Sequence, residues 1–251
     1  MTDDLQPRKT PETPEATGRQ PVFLMPGIVT ALVGVMAAIQ LADAFVFNSD
    51  TRELFTIWFA FIPVRLLDPS ALPGGYWPLL WTPFTHAFMH AGFEHLIMNC
   101  AWLAIFATPV ARRYGMGPTL ILFLVSAFVG ALAFAATTLP GVAVLIGASG
   151  GVSGLTGAAM RFMFQPVIVA QHPVTGERIA LGRKLASFKE LWASSQARTF
   201  ILFWVVLNAA VPLLPRFLGA NVQVAWQAHL GGFFTGLLLV PLFERKGAAR
   251  A

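Results

Sequence analysis

Long apolar stretches alternate along the chain with short polar or turn-rich segments. Six of these stretches approach the length of about 20 residues that a helix needs to cross a bilayer core about 30 Å thick. We therefore predict an all-α membrane protein in which six membrane-spanning helices form one bundle. Their expected bounds are residues 27–47, 92–110, 118–138, 149–164, 199–214 and 222–243.

Two of the segments between the spans have a distinct character. Residues 48–85 are mixed in polarity and contain the turn-rich PSALPGGYWP, which predicts a membrane-surface loop with short helical pieces. Residues 166–198 are polar and basic. A small hairpin is expected within them, around Thr175 and Gly176.

Both ends of the chain differ in composition from its apolar middle. Residues 1–21 are polar and proline-rich, so we expect a disordered tail with no cleavable signal peptide. The predicted domain extends over residues 22–244, and residues 245–251 form a second short tail. Charged residues make up only 12% of the chain, against about 25% in soluble domains, which supports the assignment to a membrane.

The positions of lysine and arginine indicate the orientation in the membrane. If both termini lie inside, 14 basic residues fall on the inner side and only Arg52, Arg65 and Arg216 lie outside. Cytoplasmic loops carry such an excess of positive charge. We therefore expect both tails in the cytoplasm and the protein in the lipid bilayer of a bacterial-type inner membrane. The net charge of +5 then reflects topology, so no nucleic-acid partner is expected.

Few strongly polar groups occur inside the predicted spans, where each is costly. The sequence GASGGVSG at residues 147–154 contains two Gly-x-Ser-Gly patterns, centred on Ser149 and Ser153. Counting about 1.5 Å per residue from the cytoplasmic ends places Asn99, Ser149 and His229 about 18–22 Å up. Ser153 lies only about 12 Å up on the same count. The first three residues therefore share one layer nearer the outer face.

The residue types in this layer suit acyl transfer. A serine hydroxyl becomes a nucleophile when a histidine takes its proton, and an asparagine side chain can stabilise the developing oxyanion. No Asp or Glu lies at this depth in the fourth or sixth span, so Ser149 and His229 would act as a dyad. Close approach of these two spans is expected from pairs of small residues four apart, namely Gly150, Gly154, Gly232 and Gly236.

Other polar residues of the spans and the first loop are expected to stabilise the structure and not to take part in the reaction. Asn208 in the fifth span is expected to form a hydrogen bond between helices. Ser153 is expected to pack in the bundle or to bond a backbone carbonyl one turn back. His86 and His90 are four residues apart, but no carboxylate or thiolate is clearly paired with them, so no metal site is predicted.

Three motifs resemble the rhomboid family of intramembrane serine proteases: GASG with a glycine at position 157, AHLGGFFTG in the last span, and HAFMHAGFEHLIMN around the start of the second. The likeness covers roughly residues 75–243 and preserves the order of the motifs. It implies a six-helix rhomboid-like bundle with a membrane-surface first loop, and chemistry without a metal or cofactor. It also implies the roles of four residues: Ser149 as nucleophile, His229 as general base, and His95 and Asn99 as oxyanion-side donors.

The family pattern also distinguishes the two serines. Members place a glycine eight residues after the nucleophile, and Gly157 stands at that distance from Ser149. The residue at the same distance from Ser153 is Arg161. The chain departs from the pattern at Ser153, where relatives commonly carry an aromatic ring that stacks on the catalytic histidine. A second departure is Thr82, where many members have an arginine after the tryptophan.

The resemblance implies an intramembrane serine endopeptidase that cleaves single-span membrane proteins. The substrate helix would unwind near the outer part of the bilayer and enter from the side. Two alternatives remain open: a catalytically inactive rhomboid-like protein that binds client membrane proteins, and a small-solute transporter with a polar cavity. The presence of both Ser149 and His229 weighs against the first. The absence of an internal repeat and of carboxylates at the depth of the site weighs against the second.

Overall fold

The computed structural model describes residues 25–171, 176, 178–210 and 224–244 of the 251-residue chain. Within these ranges the helices are α1 (Gly27–Phe45), α2 (Ser49–Phe59), α3 (Thr82–Thr85), α4 (Phe93–Tyr114), α5 (Met116–Thr138), α6 (Ser149–Met160), α7 (Phe188–Ala193), α8 (Ser195–Ala210) and α9 (Trp226–Leu239). Two strands, β1 (Val167–Gln171) and β2 (Arg178–Arg183), lie between α6 and α7. The fold is therefore mainly helical, as predicted.

Four helices are long and apolar enough to cross a membrane: α1, α4, α5, and α9 together with the turn Val240–Phe243 that extends it. The chain is thus an integral membrane protein. Helix α6 has 12 residues and the described part of α8 has 16, which makes them about 18 and 24 Å long. Helices occupy all six predicted positions, and four of them reach spanning length in the described ranges. Residues 211–214 and 222–223 of the predicted spans, and both predicted tails, lie outside those ranges.

Helix α6 forms the centre of the bundle. Residues 150–161 are all buried, and α6 packs against α4, α5 and α9. A Cβ added at Gly236 of α9 would lie 1.7 Å from the carbonyl oxygen of Gly154. A Cβ added at Gly232 would lie 2.0 Å from the carbonyl oxygen of Gly150. The backbones of α6 and α9 are therefore in contact, which confirms the predicted close approach through these glycines.

A buried arginine follows the last residue of α6. The helix ends at Met160, four residues before the predicted bound. The guanidinium of Arg161 is buried and donates hydrogen bonds of 2.8 Å to the carbonyl oxygens of Ala186 and Leu237. These bonds join the end of α6 to the segment before α7 and to α9, so the chain turns here instead of continuing as a helix.

The first loop folds around a second buried arginine. Arg65 donates hydrogen bonds of 2.8–3.0 Å to the carbonyl oxygens of Ile57, Pro73 and Gly75. Helices α2 and α3 and several 3-10 turns make up the loop, which confirms the predicted short helical pieces. Large apolar side chains of the loop remain exposed, as expected of a segment at a membrane surface; they include Leu66, Leu67, Tyr76, Trp77 and Leu80.

The strands β1 and β2 form an antiparallel pair in which Gln171 lies opposite Arg178. This confirms the predicted hairpin, whose turn residues 172–175 lie outside the described ranges. Arg113 at the end of α4 connects the hairpin to the bundle. Its guanidinium donates to the carbonyl oxygen of Arg183 and forms an ion pair with Glu244, with an N–O distance of 2.5 Å.

Candidate functional site

Helix α6 starts at Ser149, after a non-helical segment that is paired with the first loop. Leu145 in this segment exchanges backbone hydrogen bonds of 2.9 and 3.1 Å with Phe61. The N–H of Gly147 donates to the carbonyl oxygen of His86 at 2.9 Å. The loop therefore supplies the partners that non-helical backbone needs at membrane depth. Ser149 itself stands in the first turn of α6, where backbone N–H groups have no partner within the helix.

Ser149 is accessible although its neighbours in the chain are not. Every other residue from 147 to 161 is buried, and Ser149 alone keeps partial exposure. Ser153, one turn further along α6, is only 2% exposed. A substrate or reagent can therefore reach the hydroxyl of Ser149 more readily than that of Ser153.

Gly147 packs directly against the ring of His95 and lies close to the hydroxyl of Ser149. Gly147 has a φ of +118°, which side chains rarely adopt. A Cβ placed there would lie 2.8 Å from Nε2 of His95 and 3.8 Å from Oγ of Ser149. Nδ1 of His95 accepts a hydrogen bond from the N–H of Ala91 at 3.4 Å, so the neutral ring carries its proton on Nε2. Nε2 of His95 and Oγ of Ser149 therefore both lie within 4 Å of one point beside Gly147.

Asn99 lies one turn beyond His95 on α4. It is buried, and its Nδ2 donates to the carbonyl oxygen of His95 at 2.9 Å. This bond uses one of the two N–H groups of the amide. Among the described residues, no hydrogen bond is formed by the second N–H group.

His229 on α9 is hydrogen-bonded to α8. Its Nδ1 lies 2.7 Å from Oδ1 of Asn208, which is buried at 5% exposure. Nδ2 of the same amide donates to the carbonyl oxygen of Trp204 at 2.8 Å. The predicted inter-helix role of Asn208 is thus confirmed, but its partner was not foreseen. The sequence signal that could have indicated this partner was the single asparagine inside an otherwise apolar membrane span.

Ser149 and His229 lie on either side of one contact between α6 and α9. A Cβ added at Gly150 would be 3.5 Å from the carbonyl oxygen of Ala228, and these two residues adjoin the serine and the histidine in sequence. No hydrogen bond joins Ser149 to His229 in the part of the chain that the structure describes. Such bonds are often longer in substrate-free enzymes and shorten in the complex.

The departure at Ser153 has a visible consequence at His229. Among the described residues, no aromatic ring stacks on the imidazole of His229, and Ser153 is buried inside α6. The hydrogen bond between Nδ1 of His229 and Oδ1 of Asn208 restrains the ring instead.

The two other histidines of the HAFMHAGFEHLIMN motif support the site from the first loop. His86 is buried with its Nδ1 3.0 Å from the carbonyl oxygen of Thr82, and burial lowers its pKa to about 4. The ring of His90 packs edge-on against that of His95, with centroids 5.0 Å apart. Within the described ranges, no three His, Cys, Asp or Glu residues are grouped so that they could hold a metal ion.

Comparison with known proteins gives a family match over most of this architecture. The model of the Rhomboid domain matches residues 78–246, which include α4, α6, α8 and α9. The chain is 26% identical over 237 residues to RHOMBOID-like protein 1 of Arabidopsis thaliana, covering 86% of this chain and 52% of that protein. It is 30% identical over 175 residues to Rhomboid protease GlpG of Yersinia enterocolitica, covering 67% of this chain and 50% of that protein.

A third relative is RHOMBOID-like protein 6, mitochondrial, of Arabidopsis thaliana, which is 28% identical over 159 residues, 63% of this chain and 42% of that protein. The chain therefore spans about half the length of the curated relatives it matches. The matched region contains all four predicted site residues and covers more than half of the chain. The chain belongs to the rhomboid family.

Proposed function

We propose that this protein is an intramembrane serine endopeptidase with six membrane spans, in which α6 and α8 are the fourth and fifth. Ser149 is the nucleophile and His229 the general base. His95 and Asn99 donate hydrogen bonds to the oxyanion, together with the backbone N–H groups at the start of α6. The mechanism needs no metal or cofactor.

The observation that carries the proposal is the partial exposure of Ser149 at the start of an otherwise buried helix. Its Oγ and Nε2 of His95 lie 3.8 Å and 2.8 Å from the same point beside Gly147. A carbonyl carbon bonded to Oγ of Ser149 would bring its oxygen within reach of Nε2–H of His95. Donors aimed at a developing negative charge stabilise the transition state strongly, and the loss of one typically slows catalysis about 100- to 1,000-fold.

The reaction proceeds in two acyl-transfer steps. Oγ of Ser149 attacks the carbonyl carbon of the scissile peptide while Nε2 of His229 takes the hydroxyl proton. The tetrahedral intermediate collapses, its C–N bond breaks, and His229 returns the proton to the leaving amine. Water then attacks the acyl-enzyme with the same histidine as base, which releases the acid and restores the serine.

The substrates are single-span membrane proteins whose helices unwind near the outer part of the bilayer and enter from the side. The depth of the cleavage site is supported by the position of Ser149, about 18 Å from the cytoplasmic end of α6. The excess of basic residues on one side supports a cytoplasmic location of both termini. The membrane is of the bacterial inner-membrane type.

The test uses the purified protein in detergent with a helical membrane substrate and a fluorophosphonate probe. The wild type and Ser153→Ala should cleave the substrate and become labelled, whereas Ser149→Ala should do neither. Ser153→Ala is the matched control because it removes the same hydroxyl one turn away on the same helix. Cleavage that survives Ser149→Ala but not Ser153→Ala would overturn the assignment of the nucleophile.

The second candidate is a catalytically inactive protein that binds client membrane proteins. The observation that favours it is the lack of a hydrogen bond between Ser149 and His229 in the described part of the chain. An inactive protein would show no labelling of Ser149 and no cleavage of any substrate in a panel. It would retain client proteins equally well as wild type and as Ser149→Ala.

A further inference from the structure

We infer that Asn208 is a positioning residue for His229: its side-chain amide holds the imidazole in the tautomer that a general base requires. The inference rests on the proposed function, because it assigns a role to a partner of the proposed base. It concerns a residue on α8, whereas the motifs of the site lie on α4, α6 and α9.

The orientation of the Asn208 amide follows from its two partners. The carbonyl oxygen of Trp204 can only accept a hydrogen bond, so the amide atom 2.8 Å away must be the donor Nδ2. The other end of the amide, 2.7 Å from His229, must then be the acceptor Oδ1. A backbone carbonyl thus fixes an assignment that is otherwise ambiguous for an asparagine.

The tautomer of His229 follows in turn. Since Oδ1 of Asn208 cannot donate, Nδ1 of His229 must carry a hydrogen and donate it. A neutral imidazole has one N–H group, so Nε2 keeps its lone pair. That lone pair is the group that accepts the serine proton in a Ser–His mechanism, where a third side chain bonded to Nδ1 orients the ring.

An amide suits this position better than a carboxylate would. When Nε2 takes the proton, the ring becomes positively charged and its hydrogen bond to Oδ1 becomes charge-assisted and stronger. A neutral acceptor gives part of this stabilisation without burying an anion, which is costly inside a membrane. Asn208 is 5% exposed, so the bond is shielded from competing water.

The same bond compensates for the missing aromatic ring at position 153. The resemblance to relatives predicts a ring that stacks on the catalytic histidine, and Ser153 cannot supply it. In the described part of the chain, the bond to Asn208 is the one hydrogen bond that His229 makes through its side chain. Without it, the imidazole could rotate about its side-chain bonds and exchange tautomers.

The test compares Asn208→Leu with Asn208→Asp, which keeps an acceptor facing Nδ1. The measured quantity is the rate of fluorophosphonate labelling at Ser149, well below the unfolding temperature of each variant. Asn208→Leu should be slowed roughly 100-fold, because a misplaced reacting group can cost about that much, whereas Asn208→Asp should retain most of the rate. Ser126→Ala is the matched control, because it removes another buried polar side chain that contacts α6; its rate should equal that of the wild type.

A spectroscopic measurement separates positioning from a purely structural role. In protein labelled with ¹⁵N-histidine, the signals of His229 are identified by their loss in His229→Gln. The wild type should show Nδ1 protonated and Nε2 unprotonated at neutral pH. A wild-type His229 protonated on Nε2 overturns the inference even if Asn208→Leu fails to fold.

Different results would contradict the proposed function and the inference about Asn208. If the wild type is not labelled and cleaves nothing, the proposed function fails, while the tautomer measurement still decides the inference. If the wild type is labelled and Asn208→Leu is labelled equally fast, the inference fails and the proposed function stands.

Discussion

Replacing Gly236 of α9 with alanine introduces a methyl group against the backbone of α6. The added Cβ would lie 1.7 Å from the carbonyl oxygen of Gly154, 2.5 Å from its carbonyl carbon and 2.8 Å from its Cα. Because these are backbone atoms, no change of rotamer can relieve the collision. The two helices must instead separate by roughly 2 Å to reach an ordinary contact distance.

This separation should affect both stability and catalysis. Overpacking of a well-packed core costs about 1–3 kcal/mol, and we expect the upper part of that range because both helices must move. A displacement of about 1 Å at reacting groups can slow catalysis about 100-fold. We therefore expect Gly236→Ala to lower the unfolding free energy by about 3 kcal/mol. Labelling of Ser149 should become about 100-fold slower.

The assay measures thermal unfolding and fluorophosphonate labelling of purified protein in the same detergent. Gly34→Ala is the matched control, since Gly34 also lies within a long apolar helix and a Cβ there meets nothing within 4 Å. That variant should label like the wild type and unfold at the same or a slightly higher temperature. If Gly236→Ala behaves like Gly34→Ala, the two helices do not touch through their backbones and the reasoning is refuted.

Three further substitutions test other parts of the molecule. In Gly147→Ala, the added Cβ would lie 2.7 Å from Cε1 of His95, at a residue with a φ of +118°. Labelling of Ser149 should fall at least about 100-fold, while circular dichroism shows a folded protein. An unchanged rate contradicts the proposed oxyanion site. Burial lowers the pKa of His86 from 6.5 to about 4, so stability should fall as the pH drops below 6.5, by about 2 kcal/mol at pH 5. His86→Gln should lose the contribution of this histidine, so its stability in thermal unfolding should fall less steeply with falling pH than that of the wild type; an equal slope in both proteins would rule out this cause. Arg65→Met leaves three carbonyl oxygens without their charged donor and should lower the unfolding free energy by about 3 kcal/mol or more; an unchanged melting temperature would show that the loop does not depend on this arginine.

The sequence was informative where short-range patterns determine the structure. Apolar runs predicted the positions of the long helices, because bilayer thickness sets their length. The spacing of glycines predicted which two helices touch, because residues four apart lie on one helix face. The start of α6 at Ser149 was also predicted, since the glycine-rich GASGG follows a segment unsuited to a helix.

The features that escaped prediction depend on partners far away in sequence. Helix α6 ends at Met160 because Arg161 donates hydrogen bonds to carbonyl oxygens 25 and 76 residues away. Every residue has a backbone carbonyl group, so the sequence does not show which of them will accept such a bond. The burial of Arg65 in the first loop was hidden for the same reason, and the chain pattern showed only a basic residue outside the membrane. To predict the hydrogen bond between Asn208 and His229, one must know which face of α8 packs against α9. The apolar sequences of the two helices do not specify that face.

The central position of α6 has a consequence for how the chain enters the membrane during synthesis. Its sequence SGGVSGLTGAAM carries few large apolar side chains, so the segment gains little from contact with lipid. Its glycines pack against α5 on one side and against α9 on the other, and α9 is made about 65 residues later. The face of α6 that α9 covers therefore stays without its partner until α9 emerges, and assembly of this part of the bundle is completed after synthesis of its C-terminal helix.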